Sequence, residues 1–292
     1  MAPLAKSARA FRNSIATRDD AETGKATLDR DGISGSLRSM LVLRSLAFNV
    51  LFYANLVLWL IFAVLPALLL PKRALLAVAI AWSHSSLWLM RVVAGTRYEI
   101  TGVENIPEGG LMVGAKHQSF LETFALVTVF TNPVFILKRE LTWIPVFGWA
   151  LTKMRMIPVN RGARARALSD VTRRAKIELG QNGRQLLIFP EGTRRAPGAP
   201  PAYKFGAAHL YAELGVPCVP VALNTGLYWP RRKFLRRPGT VRIEILPAIE
   251  PGLDKVAFQA ILQERIETAS DRLLAQGRAE LAARGMDPLA SS

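Results

Sequence analysis

From residue 45 the chain runs for 26 positions without a charged residue, rich in Leu, Val, Ala and Phe. As a helix, that run is long enough to cross the ~30 Å hydrocarbon core of a bilayer. Pro71, Lys72 and Arg73 interrupt it. Residues 74–90 are again uncharged, but the run is shorter and carries Ser83, His84, Ser85 and Ser86 in its middle. The pattern predicts two apolar helices joined by a tight turn. Full crossing would place Lys72 and Arg73 outside, against the positive-inside tendency, and the serine cluster at mid-bilayer. A shallow hairpin held in one leaflet fits both observations better. The alternatives are one true span or a core helix pair of a soluble protein.

From Arg97 the texture changes to short apolar or β-branched runs alternating with helical periodicity. Strands are predicted at 98–101, 111–114, 134–137, 155–159, 185–189, 216–223 and 241–246, and helices at 121–130, 165–179 and 207–214. Such alternation implies an α/β fold with a mainly parallel central sheet flanked by helices, here preceded by the membrane-associating hairpin. Phe258, Ile261, Leu262, Ile266, Ala269 and Leu273 recur at helical spacing, so residues 254–274 read as an amphipathic helix packed on the domain. The expected organisation is a flexible, basic-leaning tail over 1–40, the hairpin over 41–92, a catalytic domain over 93–250, and a terminal helix and tail over 251–292. The first 40 residues do not read as a secretory signal, because no apolar core follows the start at the usual distance.

Composition adds a partner class. The 292 residues carry a net charge of +16, which attracts anionic surfaces such as nucleic acid or anionic lipid. Aromatic residues do not alternate with the basic ones as in a single-strand binder, so anionic membrane lipids are expected and nucleic acid is not. Cys218 is the only cysteine and His84, His117 and His209 the only histidines. No disulfide framework or metal-ligand cluster is visible, and the folded part is expected to face a reducing cytosol.

The candidate chemistry centres on AKHQSFLETF at 115–124. A short strand feeds Lys116, His117 and Gln118. Ser119 and Glu122 then make a capping-box spacing. On one continuous helix, His117 and Glu122 would diverge by about 140°. With His117 in the preceding loop, its ring folds back onto Glu122, and a histidine held by a carboxylate is a general base. The plainer reading is a cap and an ordinary histidine. Two other strand ends add polar residues: IPVNRG at 157–162 delivers Asn160 and Arg161, and FPEGTRR at 189–195 delivers Glu191, Gly192, Thr193 and Arg194. In a parallel sheet these ends gather at one edge. Arg161 and Arg194 are guanidinium forks suited to a phosphate monoester. Gly192 permits a backbone conformation that other residues rarely adopt.

In this order the motifs resemble those of the glycerolipid acyltransferase family. Its first motif, His, four residues, then Asp, is matched by His117 and Glu122, with glutamate in place of the usual aspartate. The second is matched by the run up to Arg161. The third, Phe-Pro-Glu-Gly-Thr-Arg, is reproduced in full at 189–194, and the fourth, a Val-Pro-rich strand, at 216–221. KRELTWIPVFG at 138–148 is similar to the region between the first two motifs. The resemblance spans roughly 102–224.

The resemblance implies transfer of an acyl chain from acyl carrier protein or coenzyme A to the sn-2 hydroxyl of lysophosphatidic acid, giving phosphatidic acid. His117 would be the base and Glu122 its orienting carboxylate. Arg161, Glu191, Gly192, Thr193 and Arg194 would form the acceptor site. It implies no metal and no bound cofactor, and a location at the cytoplasmic face of the inner (plasma) membrane. Cys218 is expected to be a packing residue. The run WPRRKFLRR at 229–237 reads as an interfacial contact or a solvated loop. Competing readings are another lysophospholipid or lyso-aminolipid acceptor, and a non-catalytic basic membrane- or nucleic-acid-binding protein.

Overall fold

Three strands are almost wholly apolar and buried, which places them centrally in a parallel sheet. They are β2 (Leu111–Ala115), β5 (Gln185–Ile188) and β6 (Cys218–Leu223). The structure, a computed structural model, describes residues 35–160 and 164–286. With β1 (Thr96–Thr101), β3 (Pro133–Lys138), β4 (Ile157–Val159) and β7 (Gly239–Ile245), the described residues form a seven-stranded sheet in the order β1-β7-β6-β2-β5-β3-β4. Every pairing is parallel except β6 with β7. All seven predicted strands are present, with ends shifted by a few residues. No end moves by more than two residues; the fourth strand starts at Ile157 and not at 155, because Arg155 takes a left-handed φ of 56° just after the preceding helix.

The two predicted apolar helices form. α1 (Gly35–Trp59) starts ten residues before the uncharged run, and a π turn (Leu60–Val64) continues it. α2 (Lys72–Leu89) follows. They do not stand apart from the sheet. Leu41, Phe48, Phe52, Leu87, Met90 and Ala94 share a core with residues of β2, β6 and β7. Ala67 and Leu75, near the hairpin tip, share a second core with α4 (Phe147–Lys153) and β3. Lys153 Nζ also donates to the Leu68 carbonyl at the tip. The opposite face, including Leu43, Val50, Tyr53, Phe62 and Leu69, is exposed. The serine cluster is satisfied internally: Asn55 Nδ2 donates to Ser85 Oγ at 3.0 Å and Ser86 Oγ at 3.2 Å.

The remaining helices are α3 (Leu121–Ala125), α5 (Arg164–Asn182), α6 (Gly206–Leu214), α7 (Thr225–Tyr228) and α8 (Lys255–Ala283). The periodicity did not predict α4 or the four-residue α7. α8 runs nine residues beyond its predicted end, because Leu274, Gly277 and Leu281 remain buried. Asp254 caps it, accepting from Val256 N at 2.8 Å and Ala257 N at 2.9 Å.

Phe52 is the largest link between hairpin and domain, with ring neighbours Phe48, Trp82, Phe120, Phe124 and Trp229 within 6.1 Å. Phe52→Ala is expected to cost about 3–5 kcal/mol and to lower Tm by on the order of 10 °C in detergent-solubilised protein. Leu46→Ala, on the exposed face, is the control and should stay within about 0.5 kcal/mol.

Candidate active site

β2, β5 and β6 are adjacent and mutually parallel, so their C-terminal ends open on the same edge of the sheet. β2 delivers His117, β5 delivers the turn at 189–194, and β6 delivers Thr225. His117 lies before α3 and not within it, as the spacing argument requires. Its Nδ1 is 2.8 Å from Glu122 Oε1, and its ring stacks on Phe189 at 4.0 Å between centroids. Nε2 bonds to no described residue, and the side chain is 13 % exposed.

Glu122 is completely buried, and its carboxylate is fully engaged. Oε1 accepts from His117 Nδ1, from Gln118 N at 2.9 Å and from Ser119 N at 2.7 Å. Oε2 accepts from Thr225 Oγ1 at 2.7 Å. With both oxygens serving as acceptors, His117 Nδ1 is the donor and Nε2 carries the free lone pair. The capping box forms in part. Glu122 reaches back to Ser119 N, but Phe120 occupies the cap position. The Ser119 hydroxyl donates to the Trp229 carbonyl at 2.6 Å and accepts from Leu121 N at 3.2 Å.

The turn after β5 closes on this pair. Gly192 has φ 66°, with Gly192 N bonded to the Phe189 carbonyl. Arg195 N donates to the His117 carbonyl at 2.8 Å. Arg194 places its guanidinium over the Phe120 ring, 5.5 Å from the centroid. Burial lowers its pKa, the Glu122 charge opposes that, and Arg231 adds to it. Gly226 lies where a Cβ would be 2.8 Å from Pro197 and 2.9 Å from Gln118, so the backbone beside the site is close-packed.

An acyltransferase family model matches residues 97–224. The 1-acyl-sn-glycerol-3-phosphate acyltransferase of Pseudomonas aeruginosa is 36% identical over 235 residues, covering 80% of this chain and 91% of its own. The chain belongs to the 1-acyl-sn-glycerol-3-phosphate acyltransferase family. The mouse alpha enzyme of the same name is 30% identical over 159 residues, 53% of this chain and 55% of its own. The crystal structure of the Thermotoga maritima enzyme matches with a TM-score of 0.67 at 23% identity, over 79% of this chain and 96% of that one, a likeness of fold.

The structure therefore brings together His117, Glu122, Gly192, Thr193 and Arg194 of this acyltransferase. Arg161 lies outside the described residues. Its strand, β4, is three positions from β2 in the sheet, about 14 Å at ~4.8 Å per strand. Glu191, expected to line the acceptor pocket, is turned inward and 2 % exposed. It pairs with Lys116 Nζ at 3.2 Å.

Lys116 is also held by Glu267 of α8, at 2.7 and 2.9 Å, and Tyr203 OH donates to Glu267 at 2.8 Å. Burial and the nearby carboxylates push the Tyr203 pKa up. The motif search missed this network because Glu267 comes from a helix 150 residues downstream of Lys116, with no local signal. Thr225 had one: it follows a strand at the same edge. Cys218 is buried in β6 as expected, with burial pushing its thiol pKa up.

Lys116 bridges two carboxylates at the back of the turn, and Arg195 Nε lies 3.8 Å from Glu191 Oε1. Lys116→Met leaves buried Glu191 with only the longer Arg195 contact and is expected to cost about 3–5 kcal/mol in urea unfolding. Tyr203→Phe removes one hydroxyl bond and is expected to cost about 1–2 kcal/mol.

Proposed function

We propose that this enzyme moves an acyl chain from a thioester to the sn-2 hydroxyl of lysophosphatidic acid, with His117 as general base. The observation that carries the reading is the His117 Nδ1–Glu122 Oε1 contact at 2.8 Å, which leaves Nε2 free at the edge where Arg194 stands. In the proposed step Nε2 takes the hydroxyl proton as the oxygen attacks the thioester carbonyl. The tetrahedral adduct collapses to the new ester, and the departing thiolate recovers a proton from the imidazolium. Glu122 holds the tautomer and stabilises the imidazolium. The acceptor oxygen is itself the nucleophile, so the buried Cys218 has no covalent part. Arg194 binds the acceptor phosphate, on a turn shaped by Gly192, Thr193 and the inward Glu191. The donor is acyl carrier protein or a coenzyme A thioester.

Membrane association follows from the exposed apolar face of the hairpin and the +16 charge, each basic residue near anionic headgroups contributing about 1 kcal/mol. We place the hairpin in one leaflet at the cytoplasmic face. The support is that its inner face, from Leu41 to the tip, packs on the catalytic domain. A spanning hairpin would have to carry its tip about 30 Å away from those contacts.

His117→Ala should reduce acyl transfer at least about 1000-fold, and Glu122→Gln at least about 100-fold. The assay is product mass from lysophosphatidic acid with each donor, and vesicle co-sedimentation should be unchanged. A normal rate in His117→Ala rejects the base assignment. For the hairpin, Lys72→Cys should react with a membrane-impermeant maleimide only in inside-out vesicles, the buried Cys218 giving the background. Labelling only from the outer side rejects the one-leaflet placement.

A further inference from the structure

A phosphate monoester carries about −1.5 to −2 charge at neutral pH, and one guanidinium does not balance it. Arg194 makes no side-chain hydrogen bond to any described residue; its contact is the Phe120 ring. The nearest carboxylate, Glu122, spends both oxygens on four other donors. Arg194 therefore presents open donors.

A second guanidinium sits at the same turn. Arg231 Nη1 donates to the Arg194 carbonyl at 3.1 Å and to Thr193 Oγ1 at 3.3 Å. Its other guanidinium nitrogens bond to no described residue, and it is in no ion pair among them. The loop that carries it is built and anchored. Trp229 is buried, and its carbonyl accepts from Ser119. Arg237 N closes the loop on the Tyr228 carbonyl at 3.0 Å. Arg236 lies on the Trp229 ring at 4.7 Å, and its backbone N donates to Ser45 Oγ of α1. Burial lowers the Arg236 pKa to about 10. Arg232, next to Arg231, is held at φ 59°, a backbone conformation that a non-glycine residue adopts only where the surrounding structure holds it. Two arginine side chains thus meet at this turn, neither in an ion pair among the described residues. Arg231 is among the causes that lower the Arg194 pKa.

We infer that Arg231 is a second cation of the acceptor-phosphate site and selects a phosphate monoester over a phosphodiester. This rests on lysophosphatidic acid being the acceptor. A monoester has three unsubstituted oxygens and close to two charges, enough to engage both forks. A diester has two such oxygens and one charge, and gains less from the second arginine.

The experiment is steady-state kinetics of the full-length enzyme in mixed micelles, with lysophosphatidic acid and lysophosphatidylglycerol as alternative acceptors. Arg231→Gln is expected to raise KM for lysophosphatidic acid about tenfold, with the donor KM unmoved and the loss in kcat much smaller. The monoester-over-diester preference in kcat/KM should fall by a similar factor. Arg231→Lys should recover part of the loss. An unchanged acceptor KM overturns the inference. So does a rise confined to the donor KM, or a fall in kcat and Tm at constant KM, which would make Arg231 a clamp on the turn. If the unsubstituted enzyme acylates only lysophosphatidylglycerol, the acceptor reading itself fails and takes this inference with it.

Discussion

The buried carboxylate of Glu122 is the constraint on which the site depends. A charge this deeply buried is costly unless its lone pairs are filled. Here three donors come from consecutive residues, His117, Gln118 and Ser119, and the fourth comes from Thr225 on another strand end. Reaching back to the start of the helix and holding His117 are therefore one arrangement and do not compete. The glutamate reaches across to Thr225 at the start of α7 as well as back along its own loop. Removing any one donor loosens the others, because they converge on a single group.

Aromatic packing ties the membrane element to that group. Phe48 and Phe52 of α1 meet Trp229 edge-on, at 5.2 and 5.0 Å, and Phe52 also meets Phe120 at 6.1 Å. Phe120 in turn carries Arg194 on its face. The apolar helices and the 189–194 turn are thus separated by one layer of rings. A hairpin packed this way is part of the domain's core. On the far side of the turn, Lys116 neutralises Glu191 and draws Glu267 and Tyr203 inward. Burial in ionic pairs fixes the back of the turn as rings fix its front.

Much of this was legible without coordinates. The uncharged run, the seven apolar segments and the helical spacing at 254–274 report local burial, and burial pattern is what strand and helix period encode. The placement of His117 before its helix followed from the Ser119–Glu122 spacing, and the 3.6-residue period showed that only this placement lets the two side chains meet. Residues whose role depends on distant partners were not legible. Glu191 reads as a pocket residue by its motif, yet it is turned inward against Lys116 and Arg195. Arg231 reads as one charge in a basic run, yet its loop, anchored by Trp229 and Arg237, brings it to Thr193.

By itself, then, the chain's order of residues determined the α/β class, the apolar hairpin, and the edge of the sheet where His117, Glu122 and the 189–194 turn meet. Those features depend on period, on strand ends and on short-range spacing. Only the tertiary structure decided which face of the hairpin is buried, what fills the second oxygen of Glu122, and which cations stand beside the turn. Each of those involves contacts across 37 to 191 residues of sequence, set by packing and by the need to pair buried charge, and no local pattern carries that information.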